Sequence, residues 1–334
     1  MLINTKEYLS IVESIKQEIK TVQYKTMQHA NTNLLMLYYE IGRIINKHKS
    51  WGNKFIDNLS SDLRLTFPDS KGYSSRNLKY MAKFALTYPD REFVQQIVAQ
   101  IPWGHHIVLL DKISNPEVRI WYIHKTAENG WSRNVLIHQI ESNLYQRQVL
   151  ANKTSNFGHR LPSPQSELAI QTIKDPYIFD FIQLREDMVE RDIEQALVHD
   201  VTKLLLELGT GFAFLGNQYH LKVGGDDFYL DLLFYNLNLR CYVVIELKTG
   251  EFKPEYAGQL NFYLSAVDEL LKNDMDNPSI GLLLCKSKNA LVAEYSLKDI
   301  SKPIGVSEYK ITSHLPDDLE KQLPSVEDIQ NRIK

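Results

Sequence analysis

Two apolar runs with a short polar break between them constrain this chain more than any other feature. Phe228–Tyr235 and Cys241–Lys248 are rich in β-branched, aromatic and leucine residues, and the break carries Asn236 and Asn238. That is the pattern of a β-hairpin. A turn centred on Asn238 and Leu239 sets Asp231 directly opposite Glu246, with Cβ atoms roughly 4.5–5.5 Å apart. Side chains alternate across a strand, so Lys248 shares the face of Glu246. Two carboxylates opposed on apolar strands destabilise a hairpin unless a positive charge lies between them. A divalent cation meets that need, and an ammonium beside it can hold a water or an anionic oxygen. Asp231 and Glu246 are therefore candidate metal ligands, and Lys248 a candidate water-orienting or charge-stabilising base. Hard oxygen donors of this kind suit Mg²⁺ or Mn²⁺.

An acidic residue, a hairpin and then Glu246-Leu247-Lys248 resembles the signature of the PD-(D/E)xK nuclease superfamily, with Leu230 standing where the motif has proline. Three further stretches, Leu206–Phe214, Val223–Tyr229 and Glu251–Gln259, resemble the YhcG-type nucleases. Ile101–His106 and Glu128–Asn134 are similar to the domain of unknown function that accompanies them. The resemblance implies a restriction-endonuclease-like fold and metal-dependent hydrolysis of DNA, with branched, foreign or damaged DNA as the substrate. It also implies a further ligand on the helix before the first core strand, where Glu194 is the choice over Glu190 and Glu207, and a supporting Gln259 on the following helix. Tyr256, Gln259 and Tyr263 are spaced three and four apart, on a face that can meet a nucleic-acid backbone. Plainer readings exist for several of these residues. Glu194 can be a solvated helix carboxylate, Gln259 a capping amide, and Glu246 with Lys248 a surface pair. Asp226 and Asp227, after two glycines, read as turn residues.

At 334 residues the chain is long enough for two domains, each with its own core. No apolar run approaches the ~20 residues that span a bilayer, and the N-terminus lacks the apolar core of a signal peptide. Cys241 and Cys285 read as small buried hydrophobes, and two cysteines are too few for a zinc site. These features lead us to expect a cytoplasmic protein. The net charge of −3 is unevenly spread. Residues 1–150 hold 19 Lys+Arg against 13 Asp+Glu, a balance of +6, and the remainder hold 19 against 28, or −9. A basic first half suits contact with phosphate.

Helical periodicity covers residues 7–50, with Leu34, Leu35, Tyr38, Ile41, Ile44 and Ile45 as a stripe. Residues 56–67 and then 76–84 follow as helices across a polar turn, so 56–85 has the outline of a helix-turn-helix. Arg76, Lys79 and Lys83 share the exposed face of its second helix and are candidate DNA contacts, although an ordinary helical hairpin with a solvated basic face is the more common source of such a pattern. Further helices are expected at 92–99, 105–113, 116–128 and 132–147. Adjacent His105 and His106 point to different sides of a helix, which favours packing over metal binding. Residues 151–166 are polar with two prolines and read as a linker. Beyond it the pattern predicts helices up to Leu208, strands at 211–216, 218–223, 228–235 and 241–248, and a helix at 254–272. The buried strand 280–285, a helix from Asn289, a strand at 304–311 and a charged helical tail complete the chain.

The reading is an α-helical domain over 1–150, a linker over 151–166 and an α/β nuclease domain over 167–334 with helices flanking a mixed sheet. The expected function is a Mg²⁺- or Mn²⁺-dependent endodeoxyribonuclease. The alternative is a non-catalytic nucleic-acid-binding subunit of a DNA-processing or defence complex, and a third reading directs the same chemistry at RNA. The sequence leaves open whether the chain self-associates or joins a partner subunit.

Overall fold

A computed structural model describes residues 5–48, 53–182 and 188–311. The charged tail expected after residue 311 lies outside the described residues. The chain divides into two units, residues 1–140 and 141–334. The first is helical: α1 (Thr5–Lys47), α2 (Asn53–Thr66), α3 (Ser75–Thr87), α4 (Arg91–Gln96), α5 (Trp103–Lys112), α6 (Pro116–Asn129) and α7 (Arg133–Glu141), which runs just past the division. Leu78, Met81, Ala82, Phe84 and Ala85 form the buried face of α3. Against it α1 sets Leu35, Tyr38, Tyr39 and Ile45. Gly42 makes the approach close: a Cβ there would meet the Met81 carbonyl oxygen at 2.0 Å. No described helix is long and apolar enough to cross a membrane.

The second unit contains β1 (Thr154–Ser155), α8 (Phe157–Arg160), α9 (Gln165–Thr172), β2 (Tyr177–Ile178), α10 (Glu190–His199) and α11 (Val201–Leu208). Then come β3 (Phe212–Val223), β4 (Asp226–Asn236), β5 (Cys241–Glu251), α12 (Pro254–Leu270), β6 (Ile280–Ser287), α13 (Ala290–Lys298) and β7 (Ile304–Lys310). The strands lie in the order β1-β7-β6-β5-β4-β3, with β2 also pairing to β7. β3, β4 and β5 form an antiparallel meander, while β5, β6 and β7 are parallel and joined through α12 and α13. One apolar core fills the face toward α8–α11 and a second fills the face toward α12 and α13. The architecture is a mixed sheet between helices, and buried runs such as Ile280–Cys285 are what two covered faces require. At Gly281 a Cβ would come within 2.7 Å of Leu260, so glycine lets α12 lie close on β6.

Two expectations are corrected. The division falls after Ile140, and residues 151–166 are built into the second unit. Thr154 and Ser155 pair with Val306 and Gly305 of β7, and Phe157 and Leu161 are buried in the core. Asn156 accepts from the Ile304 amide and donates to the Leu297 and Lys302 carbonyls. Polar side chains that look solvated in sequence instead satisfy buried backbone groups. Secondly, the two strands expected at 211–216 and 218–223 are one. β3 stays paired to β4 throughout, absorbing a register shift between Phe214 and Gly216.

Candidate active site

The hairpin is where the sequence places it. Leu232 pairs with Ile245 and Asn236 with Cys241, the register that sets Asp231 opposite Glu246. The turn is held by Asn236, whose Oδ1 accepts from the amides of Asn238 (3.0 Å) and Leu239 (2.9 Å). Backbone pairing between β4 and β5 ends at Leu232 and Ile245, although β4 stays paired with β3 to Asp226 and β5 with β6 to Glu251. The sheet therefore forks at Asp231. Leu232 belongs to the core toward α10 and Leu230 to the core toward α12, so β4 also twists over at this point. Side chains satisfy the amides that the fork releases. Glu246 Oε1 accepts from the Asp231 amide at 3.2 Å, and Asp231 Oδ2 accepts from the Leu247 amide at 2.9 Å.

Glu246 is 2% exposed and Lys248 8% exposed, in a pair that chance surface placement would not bury. Lys248 Nζ lies 3.3 Å from Glu190 Oε2, 3.9 Å from Glu246 Oε2 and 5.4 Å from the Tyr256 ring centroid. Burial, then repulsion from Asp231, pushes the Glu246 carboxyl up to about 8. Burial also raises Asp231, against the pull of the Leu247 amide and Lys248. Burial alone lowers Lys248, but Glu246, Asp231 and Glu190 outweigh it and raise its pKa. Lys248 is thus an ammonium at neutral pH, a hydrogen-bond donor and positive charge.

Glu194, one turn after Glu190 on α10, is buried. Its oxygens accept from Asn217 Nδ2 (2.8 Å) and Gln218 Nε2 (2.5 Å), and the same Gln218 amide nitrogen lies 3.5 Å from Asp231 Oδ1. Gln218 therefore links the two carboxylates. Its backbone is left-handed, with φ 44°, a strained choice for a side chain of this kind within a strand. The sequence carries no signal for it. Among the described residues, no three His, Cys, Asp or Glu side chains converge on a point that could hold a metal ion. Glu194 accordingly stands one amide away from the Asp231–Glu246 pair and does not complete a cage with it. The pair alone still fits a small hard cation, which takes one or two carboxylates and fills its remaining positions with water and substrate oxygen. A Glu246 carboxyl pushed up to about 8, by burial first and by Asp231 second, is the electrostatic counterpart of that fit.

Family models match both units: a YhcG PDDEXK nuclease domain over residues 170–324 and a DUF1016 N-terminal domain over residues 14–147. A protein of Escherichia coli (strain K12) named "Putative nuclease YhcG" is 31% identical over 356 aligned residues, 96% of this chain and 93% of its own length. The chain belongs to the YhcG family. Solved structures offer a fainter likeness. They include a repair endonuclease from Pyrococcus abyssi (13% identity, TM-score 0.27, 40% of this chain and 50% of that one). An EndoMS–dsDNA complex stands at 17% identity and TM-score 0.28, covering 41% of this chain and 50% of that one. Similarity at that level carries no argument about this chain.

The nuclease domain of this YhcG-family chain places the remaining expected residues unevenly. Gln259 is exposed on α12 and donates to the Tyr263 hydroxyl at 2.9 Å. Tyr263 itself is 7% exposed, packed beside Phe228 and Phe262, so it is a support and not a free contact for nucleic acid. Tyr256 lies beneath Lys248. Glu207 belongs to a different buried cluster, with Arg147 Nη1 at 2.5 Å and the Ile178 amide at 2.9 Å. Arg147→Ala leaves that carboxylate buried without its main partner and is expected to cost about 3–5 kcal/mol, read as a lower midpoint in urea unfolding. In the helical unit, Arg76, Lys79 and Lys83 are exposed. Arg76 lies 5.8 Å from the Tyr80 ring centroid, and Lys83 donates to the Leu110 carbonyl (2.7 Å) and pairs with Asp111. His105 and His106 are packing residues bonded to the Trp131 and Val98 carbonyls, and burial drives His106 down to about 3. Cys241 and Cys285 are buried free thiols.

Proposed function

We propose that this chain is a divalent-metal-dependent endonuclease that hydrolyses phosphodiester bonds in DNA. The observation that carries the reading is the opposed pair of half-buried Asp231 and buried Glu246 at the fork, with the Lys248 ammonium beside it. Asp231 and Glu246 would hold Mg²⁺ or Mn²⁺. A bound cation supplies charge neutralisation at the scissile phosphate and makes water more acidic there. Lys248 donates to the phosphate oxygens as negative charge builds on them, a positive group held in place at the reacting centre. Glu190 fixes the lysine's position and accepts from the Thr249 amide at 3.3 Å. Glu194 acts through Gln218 as a positioning residue for Asp231. Gln259 and Tyr263 back the site from α12. Of the three basic candidates on α3, Arg76 and Lys79 are exposed and would contact a phosphate backbone, Lys83 being engaged with Asp111.

Incubating the protein with supercoiled plasmid in Mg²⁺ or Mn²⁺, with EDTA controls and competing unlabelled RNA, tests this reading. Metal-dependent nicking that RNA fails to suppress is the expected result. Cleavage of the RNA in preference to plasmid would move the substrate class, and intact plasmid and RNA in every lane would leave only a binding role.

A further inference from the structure

The described cleft at the fork has a volume of about 470 Å³ and is lined by Glu190, Arg191, Glu194, Gln218, Tyr229 and Asp231. Tyr229 is the large aromatic side chain on this wall and is 52% exposed. It lies two residues before Asp231 on β4, roughly 7 Å along the strand. Its cross-strand partner on β3 is His220, with ring centroids 5.3 Å apart and planes inclined at 36°. His220 is in turn bonded to Asp227 at 2.6 Å. The imidazole does not line the cleft, whereas the Tyr229 phenol and Asp231 both do.

We infer that Tyr229, backed by His220, is a stacking platform for an unpaired nucleobase adjacent to the scissile phosphate. This rests on the nuclease reading above and adds a preference for DNA that is single-stranded or locally opened. Charge supports the assignment. Three carboxylates face the cleft against the single guanidinium of Arg191, a wall that repels a second phosphate but tolerates a neutral π-face. Size is compatible as well, because a volume of this order accommodates one small flat group such as a base. Stacking on an aromatic ring is tolerant of base identity, so the platform selects for strand structure and not for sequence.

The test uses full-length protein in EDTA, where no cleavage confuses the readout, and a short single-stranded oligodeoxynucleotide carrying 2-aminopurine. Binding should quench the 2-aminopurine. Tyr229→Leu, which keeps an apolar residue on the exposed strand but has no π-face, should lose the quench and weaken binding by about 5- to 150-fold. Tyr229→Trp should retain both, and a fully paired duplex should give little quench with any form. Equal quenching by wild type and Tyr229→Leu overturns the inference, as does failure of wild type to bind the oligonucleotide. Plasmid nicking by the same preparations separates the two readings. Nicking with an unchanged quench in Tyr229→Leu leaves the nuclease and removes the platform. A Tyr229-dependent quench without nicking keeps the platform and removes the nuclease.

Discussion

Glu246→Gln protein is expected to be more stable than wild type in the absence of metal, and increasingly so as pH rises. The Glu246 carboxyl sits near 4.5 in the unfolded chain and is pushed up to about 8 in the fold, first by burial and then by Asp231. Between those values the folded state keeps a proton that the unfolded state has released. Stability is therefore full below about 4.5 and declines through neutral pH until the folded carboxyl ionises. A shift of that size corresponds to a loss on the order of 5 kcal/mol. The neutral amide removes this term and can still accept from the Asp231 backbone. A cation bound to the pair should reverse the sign of the comparison. Mn²⁺ should raise the melting temperature of wild type more at pH 8 than at pH 5.5, because binding must displace the proton on Glu246. Glu246→Gln should show neither the decline nor the Mn²⁺ response. Melting curves with EDTA and with Mn²⁺ across this pH range give the comparison. A wild-type melting temperature independent of pH would contradict it.

Lys248→Ala should reduce the nicking rate by about 100- to 1000-fold, the usual cost of removing one fixed donor to developing charge, while DNA binding in EDTA changes little. The ammonium is also the positive group nearest Glu246, and losing it leaves the carboxylates less compensated. The acid limb of the pH–rate profile should accordingly move upward in the residual activity. A subunit that only grips nucleic acid has no turnover to lose, so an unchanged phenotype for Lys248→Ala would favour that alternative.

The placement of Asp231, Glu246 and Lys248 was legible because it depends on strand parity and register. Once Phe228–Lys248 is read as a hairpin, Asn236 and Asn238 fix the turn, and Asp231, Glu246 and Lys248 follow. What was not legible depends on departures from regular structure. The fork at Asp231 arises where β4 keeps β3 and leaves β5, and nothing in the composition of either strand announces it. Gln218 reaches the carboxylates through a left-handed backbone in mid-strand, a conformation its neighbours do not advertise. Glu190 and Glu194 share one helix face, and their different tasks become visible only when Lys248 and Gln218 are in place. The polar run 151–166 misled for a related reason. Asn156 and Thr154 satisfy the edge of β7, and a residue list does not distinguish such groups from solvated ones.

Titration of Mn²⁺ into wild-type and Asp231→Asn protein, followed by the loss of the free-ion electron paramagnetic resonance signal, tests the central claim most directly. The account predicts one tightly held Mn²⁺ per wild-type chain, with affinity rising as pH increases toward 8, and none at that site in Asp231→Asn. Equal Mn²⁺ binding by the two proteins would contradict it and move the metal away from the fork.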